Sequence, residues 1–306
     1  MLLKKIIIYS IVPVLVITIF ECRLNMHVNN HYKMQYDEIF HPKVNADIII
    51  IGTSYGNHGI NPRDLESENS KIYNFAFDGA NPAFFLKWYN VIFKKYYKKP
   101  RLIIFETPWY VFSGNYLWRT IEFDSGYFPM SVFIRVLLNP TCSAEKTLFN
   151  RFIFMKEGRK FEYLNKDKPY DIAFDITKYY HGYTPVKGTI SKSAKSEMIG
   201  KISSKQVADF EKLLDQFKLD KIQVVLVCLP ECFPARTAVG FEEGNKLIEK
   251  IAKRQGILLL NYNYDKVSKI NYDYEFFSDF GHLNEKGSLV VSRLLKNDLA
   301  KNNINF

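Results

Sequence analysis

The chain has 306 residues, 47% hydrophobic and 16% aromatic, with 25 Phe and 20 Tyr. That is enough apolar surface for a sizeable core, which excludes a disordered chain and fits one α/β domain carrying an insertion. The formal net charge is +10, but apart from FKKYYKKP at 93–100 the lysines are scattered, with no basic stripe interleaved with aromatics. Nucleic-acid binding is therefore not expected, and the charge suits an anionic surface or polymer.

Lys4 and Lys5 precede IIIYSIVPVLVITIF, residues 6–20, which carry no charge. The run is slightly short for a bilayer core of roughly 30 Å, so the lysines would snorkel. A cleaved signal peptide is a rival, but FECRLN lacks the small-x-small cleavage pattern. A lipid-modified Cys22 conflicts with the bulky and charged residues before it, and a buried first helix fits poorly with so unbroken a run. Residues 1–24 are expected to be a single-pass anchor with the lysines inside and residues 25–306 outside the cytoplasm. The mixed polar stretch 25–46 suits a stalk.

From there strand-like and helix-like segments alternate. Apolar runs at 47–52, 71–77, 101–107, 222–230 and 256–263 read as strands buried on both faces of a sheet. Helical spacing marks 81–97, with Pro82 in a first turn, then 204–218, 241–255 and 284–301, with Asn284 as N-cap. This order predicts a three-layer α/β/α sandwich around a mainly parallel five-stranded sheet, flavodoxin-like in plan. Residues 113–200 break the rhythm and read as an insertion after the third strand.

In such a sheet ligands gather at the carboxyl ends of the strands. DIIIIGTSYGNHGINP (47–62) puts Ser54 just past the first strand, and NFAFDGANP (74–82) puts Gly79 past the second. FFSDFGHLNEKG (276–287) places Asp279 three residues before His282 in a loop leading to the last helix. A serine hydroxyl needs a base within hydrogen-bond reach, and a histidine base needs a group that fixes its tautomer. Asp279 can fold back on Nδ1 of His282, leaving Nε2 for Ser54, while the N–H groups of Ser54 and Gly79 face a developing oxyanion. Taken singly, each piece reads as an ordinary turn or packed residue. Together, at one end of one sheet, they point to acyl transfer.

Here the chain resembles the SGNH/GDSL hydrolase superfamily. IIIIGTSYGNHGINP is similar to its first block, with Thr53 where an aspartate usually precedes the serine. NFAFDGANP is similar to the second block, whose oxyanion glycine matches Gly79, and SDFGHLNEKG to the final D-x-x-H block, which carries Asp279 and His282 onto the triad. The resemblance covers roughly 45–110 and 220–300. The third block's asparagine has no counterpart, because the third strand ends IIFETPWYVF with Glu106 and Thr107. Asn81 is a candidate donor in its place, or else caps the following helix. This pattern resembles the membrane-anchored, extracytoplasmic branch that acylates or deacylates cell-surface polysaccharides, often beside a membrane-bound O-acyltransferase.

The resemblance implies a serine O-acyltransferase or esterase without a cofactor, acting on a cell-surface polysaccharide or its acyl donor, acetyl being the first expectation. The alternative is a non-catalytic glycan-handling or assembly partner, motivated by the missing asparagine. His58, four residues after Ser54, reads as a second base or as nothing. His27, His31, His41 and His181 have no acidic partners at ligand spacing, and Cys22, Cys142, Cys228 and Cys232 match no zinc pattern, so no metal is expected. Cys228 reads as a core residue. Trp88, Trp109 and Trp118 read as packing, with Trp109 bordering the site.

Overall fold

Each of the five apolar runs from residue 47 onward forms a strand because its isoleucines, valines and leucines can bury both faces of the pleat at once. The computed structural model describes residues 31–40, 44–68, 70–113, 119–125, 128, 130–152, 175–190, 201–264, 270–271 and 273–304, with isolated helical positions 12, 15, 16 and 19. The strands are β1 (Ile48–Ile51), β2 (Ile72–Asn74), β3 (Leu102–Glu106), β4 (Gln223–Cys228) and β5 (Leu258–Asn261). They lie in the order β2-β1-β3-β4-β5, and all neighbours run parallel. Ile48 pairs with both Ile72 and Leu102, which fixes β1 between its neighbours.

The period-2 alternation divides the strands between two cores. Ile49, Ile51, Ile103, Phe105 and Leu226 face one side, and Ile48, Ile50, Leu102, Ile104 and Val225 face the other. The helices are α1 (His31–Phe40), α2 (Ser54–Gly59), α3 (Pro62–Leu65), α4 (Pro82–Trp88), α5 (Met130–Leu137), α6 (Ala144–Phe152), α7 (Ser204–Leu219), α8 (Phe241–Gln255) and α9 (Glu285–Lys301). On the first side α4, α7 and α8 contribute Phe84, Phe85, Phe210, Leu213 and Ile248. On the second, α2, α3 and α9 contribute Tyr55, Leu65, Val291, Leu295 and Leu299. The result is three layers. Each fully buried side chain of this kind contributes about 1.5–3 kcal/mol, so the sheet is a firm platform for whatever its ends carry.

The ends of the helices follow their sequence signals. Asn284 accepts from the Gly287 N–H and starts α9. Gly256, at φ +66, stops α8. The helix expected over 81–97 changes character midway, because a π-helical stretch covers Tyr89–Phe93.

Residues 25–46 differ from the expected stalk. Part of that stretch is α1, whose Tyr36 and Ile39 are buried, with Tyr36 stacked on Phe77 at 6.0 Å between ring centroids. Tyr36, Ile39 and Phe40 fall on one helical face, a stripe diluted in the sequence by polar neighbours. The expected anchor within 1–24 lies, apart from the four isolated positions, outside the described residues. Among the described residues no helix is long and apolar enough to cross a membrane.

The stretch that leaves after β3 returns to its point of departure. Ser113 bridges Ile202, and the Ser203 N–H donates to the Phe112 carbonyl at 2.8 Å. Before that return, residues 175–190 run as a strap past β2 and the last loop: the Asn74 N–H donates to the His181 carbonyl and the Ile190 N–H to that of Phe277.

Candidate active site

β1 and β3 are neighbours, but the chain visits β2 between them, so the direction of winding reverses at their carboxyl ends. A crevice opens at such a point. β1 ends at Ile51, and Gly52 follows at φ +151, a conformation that favours glycine. A Cβ on Gly52 would also lie 2.6 Å from Glu106 Oε2 and 2.7 Å from Glu106 Cβ. Glycine is required here because a carboxylate is packed against it.

That carboxylate organises the turn. The Thr53 N–H and hydroxyl both donate to Glu106 Oε2, at 2.8 and 3.0 Å. Thr53 Oγ1 in turn accepts from the Tyr55 N–H, capping α2. Ser54 is the first residue of α2, held by a turn whose every side is buried. Burial pushes the Glu106 carboxyl up to about 7, against the lowering effect of the Thr53 hydrogen bonds. Glu231, beyond β4, is also fully buried, and burial pushes it to about 8 although Trp109 Nε1 donates to it at 2.9 Å.

The final loop brings His282 to Ser54. His282 Nε2 lies 2.7 Å from Ser54 Oγ, and Nδ1 lies 2.7 Å from Asp279 Oδ2. Asp279 Oδ1 accepts from the N–H groups of Gly281 and His282, at 2.9 and 2.8 Å, so the loop is pinned by the carboxylate that orients the ring. Burial would raise the Asp279 carboxyl, but its bonds to His282 and the backbone outweigh that and hold it at about 2. Burial would lower His282, and the hydrogen bond and charge of Asp279 outweigh it, raising the ring above the ordinary histidine value. The Tyr55 ring stands edge-on to His282 at 4.9 Å between centroids and closes the apolar side.

The second strand's exit supplies the third side. The Phe77 N–H donates to the Gly52 carbonyl at 3.0 Å, so the Asp78–Gly79 turn runs beside the Ser54 turn. Gly79 sits at φ +69. Arg119 holds this turn twice: Nη1 donates to the Asp78 carbonyl at 2.9 Å, and its N–H donates to the Gly79 carbonyl at 3.0 Å. Asn81 caps α4, with Oδ1 accepting from the Phe84 N–H at 2.8 Å.

The structure thus brings Ser54, His282 and Asp279 into one hydrogen-bonded row and sets the Gly79 turn alongside. His58 is buried at the same site. Trp88 and Trp109 are core residues, and Trp118 lies outside the described residues. Cys142, Cys228 and Cys232 are free and buried. Cys22, His27 and His41 lie outside the described residues, and His31 lies in α1. His181 does have acidic neighbours in space, Glu66 at 3.3 Å and Glu38 at 3.7 Å, which sequence spacing did not reveal. Among the described residues no group of three His, Cys, Asp or Glu is placed to hold a metal ion. Sequence reasoning noted Glu106 only as a departure, and passed over Asp78, Arg119 and Glu231. A glutamate closing an otherwise apolar strand was the one available signal.

No family model and no curated sequence matches the chain. Among solved structures it is similar to a lipase/acylhydrolase from Enterococcus faecalis, at 12% identity and TM-score 0.41 over 83% of this chain and 96% of that one. A GDSL-like lipase from Bacteroides thetaiotaomicron gives 11% and 0.40 over 83% and 88%. A variant acetyl-xylooligosaccharide esterase from Geobacillus gives 11% and 0.41 over 86% and 97%.

Proposed function

We propose that the protein is an extracytoplasmic, membrane-anchored serine O-acyltransferase or esterase, working on a cell-surface polysaccharide through an acyl-Ser54 intermediate. The observation that carries this reading is the unbroken row Ser54–His282–Asp279, with 2.7 Å at both contacts. Ser54 Oγ attacks an acyl carbonyl as its proton passes to His282 Nε2. The N–H groups of Ser54 and Gly79 take the charge that develops on the carbonyl oxygen. The tetrahedral centre collapses, His282 returns the proton to the departing alkoxide, and an acyl ester stays on Ser54. A second hydroxyl, activated by His282, then removes the acyl group. Asp279 steadies the imidazolium at both stages.

Transfer to a sugar hydroxyl is favoured over hydrolysis. A bound acceptor can outcompete water because good orientation is worth an effective concentration of up to roughly 10⁵ M or more. The aromatic-rich stretch 113–200 is the candidate to bind and orient such an acceptor, and a membrane-bound O-acyltransferase is a fitting source of acyl groups. The expected acyl group is acetyl. A non-catalytic glycan-handling role is motivated by the absence of the third-block asparagine, whose strand end carries Glu106 instead. An intact serine, base and orienting carboxylate weigh against it.

Mass spectrometry of the full chain incubated with activated acetyl esters should find an adduct on Ser54. A folded protein that never labels there favours the non-catalytic role. In cells, loss of surface ester groups in a Ser54→Ala strain supports transfer, whereas their accumulation identifies an esterase.

A further inference from the structure

His58 lies one helical turn past Ser54 on α2 and is 1% exposed. Its Nδ1 is 2.7 Å from the Thr184 carbonyl oxygen, and its Nε2 is 3.1 Å from Asp78 Oδ1. A carbonyl only accepts, so Nδ1 carries a hydrogen. Nε2 therefore faces the Asp78 carboxylate at contact distance, from a ring already fixed by the strap carbonyl. The His58 and His282 ring centroids are 6.0 Å apart, and Asp78 directly precedes Gly79.

We propose that His58 is a positioning residue for the acyl-serine chemistry: it ties down the Asp78 carboxylate, and through it the Asp78–Gly79 turn beside the reacting oxygens. The inference rests on the acyl-serine reading above. Three anchors then hold the turn that presents the Gly79 N–H: His58 on the Asp78 side chain, Arg119 Nη1 on the Asp78 carbonyl, and the Arg119 N–H on the Gly79 carbonyl. His282 feels the charges of Asp279, Asp78 and Glu106, so a displaced Asp78 registers at the base. The Thr184 contact adds a link: the strap at 175–190 touches the Asp78–Gly79 turn through one imidazole.

The test uses the full chain and two readouts. The first is the rate at which a fluorophosphonate labels Ser54, a reaction that builds charge on a phosphoryl oxygen in the oxyanion position. The second is the NMR titration of His282, which needs no turnover. In His58→Gln, labelling should slow by at least about tenfold. With an acyl ester substrate, kcat should fall while KM stays put, and the His282 titration should move upward. Adding Asp78→Asn should slow labelling no further, because the tether is already cut in the single variant. Unchanged labelling and an unmoved His282 in His58→Gln would overturn the proposal, as would a double variant slower than the single, which would reduce His58 to packing. Should His58→Gln not fold, Asp78→Ala carries the test: slowed labelling supports the tether, and wild-type labelling refutes it. A wild type that never labels defeats the acyl-serine reading, and the inference with it, whereas a labelling wild type with an unaffected His58→Gln defeats the inference alone.

Discussion

The two ends of the same five strands treat charge in opposite ways. At the carboxyl ends Glu106, Glu231 and His58 are 0–1% exposed, and each is aimed at a specific partner. At the amino ends charges meet water. Lys98 reaches Asp47 at 3.1 Å with 59% of its own side chain exposed. The cavity of about 600 Å³ there, walled by Glu38, Asp47, Glu66 and His181 among others, holds carboxylates that are only partly covered. Exposed pairs of this kind contribute about 0–1 kcal/mol, whereas a buried charge without its partner costs several. Identical residue types are therefore solubility and trim at one end and chemistry at the other, and burial decides which.

The comparison breaks most visibly at Ser54. Ser54→Ala or His282→Ala should each lower kcat by about 10⁴-fold or more, and the double variant should be scarcely worse, since the members act as a unit. Steady-state kinetics with an activated ester reads this, and near-wild-type turnover in Ser54→Ala would end the assignment. Next comes Gly281, where a Cβ would collide with the Tyr55 hydroxyl. Gly281→Ala should displace the Asp279–His282 loop and cut kcat by about 10²-fold, as a small misplacement of a catalytic group does. Its thermal midpoint checks that the domain is still folded.

Titration sharpens the contrast. Glu106 and Glu231 rise on folding, from 4.5 to about 7 and about 8, so the native state binds more protons than the unfolded one across that window. Stability must then fall as pH climbs from about 4.5 to 8, by up to about 1.4 kcal/mol per pH unit for each group. Glu106→Gln should flatten the lower part of that slope in denaturant melts at stepped pH. Asp279 has the opposite sign: held at about 2, it adds stability that is present above its usual 3.8 and is lost as pH falls through 2. His282, raised, stabilises at low pH and loses that contribution as pH rises through its folded value. Because its neutral form is the base, the acid limb of kcat/KM should lie above the ordinary histidine value. The smallest effect belongs to the other end of the sheet. Lys98→Ala, at the exposed Asp47 pair, should change stability by less than about 0.5 kcal/mol and leave kcat alone.

These regions also differed in how well the sequence showed them. Ile48–Ile51 and Leu102–Glu106 were legible because a strand buried on both faces must be apolar throughout. The Ser54, Asp279 and His282 positions were legible because each sits beside a strand end or a helix start. Glu106 gripping Thr53 was not, because the contact spans 53 residues of sequence and depends on which strands become neighbours. His58 was ambiguous for the same reason: its partners, Asp78 and Thr184, lie on different segments, one of them on a strap with no periodic signal. The helix over His31–Phe40 was missed because its buried Tyr36 and Ile39 stand among polar neighbours in the sequence.

The meeting of Ser113 with Ile202 sets the terms on which this molecule can change. Everything between those positions leaves and re-enters the sheet through one narrow doorway, so its length is nearly independent of the platform. Doubling such an excursion adds only about 0.6 kcal/mol of closure entropy. The excursion is nevertheless tied back at several points: Ile121, Phe128, Val132 and Val136 pack into the core on one sheet face, Arg119 holds the Asp78–Gly79 turn, and Thr184 reaches the imidazole one turn beyond Ser54. A change of length is therefore cheap only between those ties, and the ties set which parts of the excursion stay coupled to the strand ends.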